Sequence, residues 1–238
     1  MSTSGSTNFN LSANEIIVEA FDLIGVGSEG EPISADMYNR AKRSLNLLIK
    51  TWGAQDHLWT RTEGPAVTLV AGQASYALAS LFPSKPMRVL SVRRRLTSGS
   101  LDTPLTELSR SDYFDLPNKS VQSVPVNFYY DPQVATGSLY VWPTASTATA
   151  AAQTLHVTYL RRMDDIDSTA NDADLPQEWL QALCYNLAVE LGIKYGVSPD
   201  ILAGVGTRAQ DLYASLKGWD TEPASLFLQP DHQGEWRC

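Results

Sequence analysis

The feature that most constrains this chain is the placement of its helical periodicity, which runs strongly at both ends and gives way to strand-like alternation between them. Near the N-terminus, Met37, Ala41, Leu45, Leu48 and Trp52 recur at steps of four, four, three and four. That spacing puts one apolar stripe on a helix over roughly 34–55. Near the C-terminus, Leu180, Leu183, Leu187 and Leu191 form a second stripe, widened by Cys184 and Ala188. One amphipathic helix cannot bury its face alone, so the helices at the two ends need each other. The chain must return to where it began.

Local signals agree. Ser12 followed by Glu15 makes a capping box for a first helix, in which Ile16, Ala20 and Leu23 share a face beside Ile17, Phe21 and Ile24. Gly25 and Gly27 end that helix, and Ser34 caps the next. Pro176, with Glu178 in the first turn, opens a third helix that stops near Tyr195-Gly196. Ser198-Pro199 opens a fourth, with Leu202, Val205, Ala209, Leu212 and Leu216 as its stripe.

Between them, "AVTLVAGQASYAL" reads as a hairpin around Ala71-Gly72-Gln73, and "PMRVLSVRRRL" as a strand after proline. "TPLTELSRSDYFDLPN" reads as a strand and one helical turn. "VPVNFYYDP" and "GSLYVWPT" are aromatic strands, with Phe128 and Tyr130 on one face and Leu139 and Val141 on the partner's. "QTLHVTYLRRM" alternates Leu155, Val157 and Tyr159 against His156, Thr158 and Leu160. The small-residue stretch "TASTATAAAQT" reads as a mobile loop tip.

The expectation is an α+β chain: a four-helix bundle body, a small antiparallel β-sandwich or barrel-like insertion, and an extended C-terminal tail. Residues 1–11 are a flexible arm, 12–62 and 164–217 the helical body, 63–163 the β-rich module and 218–238 the tail.

Composition narrows the function. Lys and Arg number 18 against 26 Asp and Glu, a net charge of −8, which disfavours sticky binding of phosphate backbones. No apolar run approaches the ~20 residues of a membrane span. "MSTSGSTNFN" lacks the basic start and apolar centre of a signal peptide. Two cysteines, Cys184 and Cys238, make no disulfide framework and have no metal spacing, and a reducing compartment is the expected place of synthesis. No cofactor motif is present.

Candidate chemistry is sparse. The acidic stretch Asp164, Asp165, Asp167, Asp172 and Asp174 invites a calcium reading. Counted from Asp165, however, an EF-hand loop would need Gly where Ala170 stands and Glu where Pro176 stands. A solvated loop leading into a helix cap fits better. Arg93, Arg94 and Arg95, with Arg88 nearby, cannot all point one way on a strand; they are either a solvated strand end or candidate contacts to an acidic neighbouring subunit. Tyr129, Tyr130, Tyr140 and Trp142 are either cross-strand packing or a stacking platform for sugar or single-stranded nucleic acid. Glu63, Glu107 and Glu190 lie beside apolar residues, where burial raises a carboxyl pKa toward use in sugar hydrolysis.

The last 21 residues, 218–238, carry Trp219, Leu226, Phe227, Leu228 and Trp236 among Pro, Gly and polar residues. They cannot make a core of their own. Stretched out they span up to about 70 Å at about 3.3 Å per residue. Rigid aromatic anchors on such a segment suit either a strap over its own helices or docking on another subunit.

Six segments, "ANEIIVEAFDLIGV", "LNLLIKTWGAQDHLW", "LVAGQASYAL", "PVNFYYDP", "GSLYVWPTA" and "LPQEWLQALCYNLAVELGIKYG", together resemble the head-to-tail adaptor family of short-tailed bacteriophages, in order, over about residues 12–217. The resemblance implies a structural virion protein at the head-tail interface. It implies a ring, usually of twelve copies, that binds the portal protein through its C-terminal segment, here 218–238. Such a ring extends the DNA channel and gives the tail nozzle or tube a platform during packaging retention and ejection. An acidic lumen would pass the duplex without holding it, leaving Arg and Lys for subunit contacts. The same family brings a peptidoglycan hydrolase assisting genome entry as the alternative, although no motif here places that chemistry.

Overall fold

The computed structural model describes residues 3–26, 33–55, 57–99 and 101–221. Four helices of eleven residues or more carry the helical part: α1 (Ala13–Leu23), α2 (Ala35–Gly53), α6 (Leu180–Tyr195) and α7 (Pro199–Trp219). Three short ones, α3 (Leu78–Leu81), α4 (Arg110–Asp115) and α5 (Thr147–Ala152), lie between the strands.

The sequence signals act as expected at the helix ends. Ser12 Oγ accepts from the Glu15 amide at 3.4 Å while the Ser12 amide donates to Glu15 Oε2 at 2.8 Å, which closes the capping box. Ser34 caps α2 by accepting from the Met37 amide at 3.3 Å. Gly196 ends α6 at φ 67°, a left-handed conformation that glycine adopts without a Cβ penalty.

Helix α6 is the hub. It buries Leu180, Leu183, Leu187 and Leu191, with Cys184 and Ala188 widening that stripe and Ala182 on another side. Helices α1, α2 and α7 all pack on it. Ile16, Ile17, Phe21, Leu45, Ile49 and Trp52 complete a single core with it. Burial pushes the Cys184 thiol up to about 12, so it is an inert core residue.

The strands are β1 (Arg61–Glu63), β2 (Val67–Thr68), β3 (Ser75–Ala77), β4 (Arg88–Leu96), β5 (Asp102–Pro104), β6 (Thr106–Glu107), β7 (Gln122–Ser123), β8 (Asn127–Asp131), β9 (Ser138–Trp142), β10 (Thr144–Ala145) and β11 (Gln153–Leu160). One sheet runs β1-β11-β4-β5, with β2 also on β11; another runs β3-β9-β8-β6; β10 and β7 pair alone. Val89, Val92, Leu155 and Val157 of the first sheet face Phe128, Tyr130, Leu139 and Val141 of the second across one apolar core. Both sheets are open, so the barrel-like closure expected from the strand count does not form. Nor is every pairing antiparallel: β6–β8 and β10–β7 are parallel.

Two local readings are corrected. The segments flanking Gly72 are not a paired hairpin, since β2 joins β11 and β3 joins β9. The turn, with Gly72 at φ 73°, carries the chain from one sheet to the other. "TASTATAAAQT" is not a loose tip. Ser146 caps the Thr149 amide at 3.2 Å and Thr147–Ala152 become α5, with Thr149 buried beneath. An alanine-rich run behind a serine cap has the means to form a turn of helix.

The acidic stretch holds no metal cluster among the described residues. It is a strap laid along α2. Lys42, Asn46 and Lys50, spaced four apart on one side of that helix, catch its backbone. Lys42 Nζ donates to Asp167 O at 3.0 Å and Lys50 Nζ to Met163 O at 2.6 Å. Asn46 bonds both the amide and the carbonyl of Ile166. The strap ends at Asp174, whose carboxylate takes a two-pronged hydrogen bond from Arg161, Nη2 to Oδ1 at 2.7 Å, and also accepts the Asp164 amide.

Hydrogen bonding from Arg161 holds the Asp174 carboxyl below its ordinary value. A depressed folded pKa contributes stability above the unfolded value, about 4, that is lost as pH falls through the folded one. Asp174→Asn should therefore lower the urea midpoint at neutral pH. The gap from the parent should close in strong acid, where both side chains are uncharged; midpoints across a pH series check this.

Candidate functional site

The end of α7 is fixed by a buried contact between a histidine and a carboxylate. His57 Nδ1 lies 2.6 Å from Asp220 Oδ2, with side chains 1% and 8% exposed. The other carboxylate oxygen accepts the Leu58 amide at 3.0 Å. A carboxylate this buried is tolerated only when its oxygens are satisfied, and both are. Around the pair stands an aromatic box. His57 stacks on Trp59 at 5.3 Å and meets the edge of Trp179 at 4.9 Å. Trp52 and Tyr213 close the box, 5.1 Å apart, each also touching Trp179. The elements that supply it are the end of α2, the tight turn Leu58–Thr60, the turn Gln177–Trp179 before α6, and the last turns of α7.

Asp220 caps α7, its amide donating to Leu216 O at 3.0 Å. The residue before it, Trp219, is 88% exposed. It borders a shallow groove of about 470 Å³ with Pro176, Trp179 and Leu216. Trp219, read from sequence as a tail residue, is thus the last residue of α7, standing in solvent beside a locked cap. The other four tail anchors, Leu226, Phe227, Leu228 and Trp236, lie outside the described residues.

The arginines of β4 divide by strand face. Arg93 and Arg95 share the polar face with His156 and Thr154, their register partners on β11. Both are taken up within the chain. Arg95 makes a two-pronged bond to Asp102 at 2.6 and 2.7 Å, and Arg93 reaches Glu63 at 2.6 Å and Asp102 at 3.0 Å. Arg94 lies on the opposite face beside Leu155, and Arg88 is exposed at the strand start.

The tyrosine platform is roofed. Tyr129 and Tyr140 sit opposite each other on β8 and β9 with rings 5.8 Å apart. Tyr113 of α4 covers them at 5.7 and 5.1 Å. Tyr130 points into the core and donates to Pro86 O at 2.7 Å; the Trp142 indole donates to Asn118 O at 3.0 Å. The faces a sugar would stack on are already stacked.

The glutamates lack the apolar burial that would suit them for sugar hydrolysis. Glu63 accepts from His156 at 2.9 Å and pairs with Arg93, and the His156 bond, more than any other contact, holds its carboxyl below the ordinary value. A general acid needs the opposite shift. Glu107 and Glu190 are exposed.

The His57–Asp220 pair was not visible in the sequence, because its partners stand 163 residues apart and no spacing rule links them. The only local signal was a histidine between two tryptophan-bearing helical segments.

The SU10 adaptor protein family matches residues 12–218 of the chain. Among solved structures, the neck of an empty GTA particle computed with C6 symmetry matches at 13% identity, covering 76% of this chain and 81% of that one, with a TM-score of 0.29. A score that low does not establish a shared overall shape. A search of curated proteins gave no match. No described helix is long and apolar enough to cross a membrane.

Asp220→Ala should strand the His57 ring and the Leu58 amide without partners. The expected cost is about 1–3 kcal/mol for a buried polar group left unpaired. It reads out as a lower denaturation midpoint, with a fluorescence change from Trp52, Trp59 and Trp179.

Proposed function

The chain belongs to the SU10 adaptor protein family, and from that membership we propose that it is a head-to-tail adaptor of a bacteriophage virion. In this reading identical subunits, twelve by the family resemblance, form a ring beneath the portal protein. The ring continues the DNA channel and presents a platform to the tail nozzle or tube. Residues 222–238 dock on the portal. The role is one of assembly and needs no catalysis.

The observation that carries this reading is the locked end of α7. In the sequence, the segment bearing Leu226, Phe227, Leu228 and Trp236 follows a helix end held by the buried His57–Asp220 contact, where the last helical residue is an exposed tryptophan. Fixing the root of an apolar segment reduces the volume its anchors must search, which lowers the ordering cost of docking. The net charge of −8 supports passage of DNA without adhesion. The roofed tyrosines and ion-paired Glu63 give the sugar-binding and hydrolase alternatives no support.

Truncation tests the docking step, and its position matters. A cut at 218 would remove Asp220 and unseat His57, so the chain should be ended after Thr221. That variant should keep its far-UV circular dichroism and denaturation midpoint, yet lose most binding to the portal ring in electron microscopy and co-sedimentation. Undiminished binding would remove the C-terminal segment from the mechanism.

A further inference from the structure

The two flanks of α2 carry opposite, uncancelled charge. On one flank Lys42, Asn46 and Lys50 are spent holding the strap, and the strap leaves Asp167 and Asp172 exposed with no side-chain partner among the described residues. On the other flank Arg40, Arg43 and Leu47 of α2 line a groove of about 530 Å³ with Lys194 and Tyr195 at the end of α6.

That groove is built to receive an anion. Arg43 makes no ion pair or hydrogen bond among the described residues. Lys194 is held at 2.5 Å by the Ser44 hydroxyl, a neutral acceptor that leaves its charge uncompensated. Ser44 is itself buried and fixed by donating to Arg40 O at 3.0 Å. The Tyr195 hydroxyl is buried and has no partner among the described residues. Arg40 alone has a carboxylate, an exposed contact to Asp36 at 3.2 Å that solvent screens. Leu47, 67% exposed, gives the groove an apolar lip.

We infer that the basic α2–α6 groove is the seat for the acidic strap of a second copy of this chain, so that Arg43 and Lys194 of one subunit meet Asp167 and Asp172 of the next. The charge pattern selects this occupant. A surface rich in acid elsewhere but basic here is complementary to a second copy of itself; one groove-strap contact repeated by rotation builds a ring, and a reciprocal two-fold pairing of groove and strap, which would stop at a dimer, is the outcome the ring count on the portal separates from it. Unlike patches on two faces of one subunit make a head-to-tail contact, and such contacts either close into rings or run on as filaments. Exposed charge pairs mainly steer and set register, so the contact is weak for an isolated pair of subunits and weakens as salt rises. The inference deepens the ring reading and rests on it.

The test uses the full-length chain, alone at low ionic strength and mixed with its portal. Arg43→Glu with Lys194→Glu reverses the groove; Asp167→Lys with Asp172→Lys reverses the strap. Each single-face variant should self-associate about tenfold more weakly in sedimentation velocity and form fewer rings on the portal, with unchanged circular dichroism. The variant reversed on both faces should recover both. In a second measurement on a Cys238→Ser background, Arg43→Cys and Asp167→Cys chains are mixed and oxidised; a disulfide-linked pair is expected from the mixture and not from either alone. Portal-bound rings that form equally well with one face reversed, or that fail to recover with both, overturn the groove-strap contact and leave the ring reading standing. A parent chain that makes no ring on the portal overturns the ring reading and the contact with it.

Discussion

Everything in this architecture depends on covering α6. A helix with so broad an apolar face, with Gln181, Glu190 and Lys194 among its few exposed residues, must be wrapped on most sides. Its leucines each contribute about 1.5–3 kcal/mol by leaving water, so the wrapping is the main favourable term in the helical part. The helices that do it come from both ends of the chain: α1 and α2 from before the strands, α7 from after. That requirement sends the intervening residues outward and brings residue 57 against residue 220. The aromatic box and its buried His57–Asp220 contact stand where the early and late helical stretches meet.

How much of this could be read in advance depended on range. Capping boxes, stripes at helical spacing and strand alternation are local, and they placed α1, α2, α6, α7, β4, β8, β9 and β11 correctly. Short alternating segments mislead about partners, because alternation says which side is buried and nothing about which sheet supplies the neighbour. So the residues flanking Gly72 read as a hairpin although they join two different sheets. The run around Thr147–Ala152 read as loose because small residues carry no apolar stripe, while the Ser146 cap that turns it into helix is a single side chain.

Charged residues were the least legible. Three consecutive arginines draw the eye, yet Arg93 and Arg95 are answered by Glu63 and Asp102 from other strands. Five aspartates suggest a cation, yet the strap is held chiefly through its backbone by Lys42, Asn46 and Lys50. In both cases the neutralising partner is remote in sequence. Arg43 and Lys194, two of the cations without a carboxylate partner among the described residues, stand far apart in the sequence and are noticeable as a pair only once α2 and α6 lie side by side. Formal charge counts therefore point to the wrong residues until the fold has cancelled most of them.

The β-rich module meets the rest of the molecule through a narrow doorway. Arg61 and Leu160 are direct register partners, and the Arg161 amide donates to Thr60 O at 2.9 Å, so the chain goes out and comes back through adjacent positions on one ladder. A module hung this way behaves as a cassette. The first geometric condition on any change to its interior is that its two ends stay a strand's width apart. Sequence change inside the module then need not disturb the packing around α6.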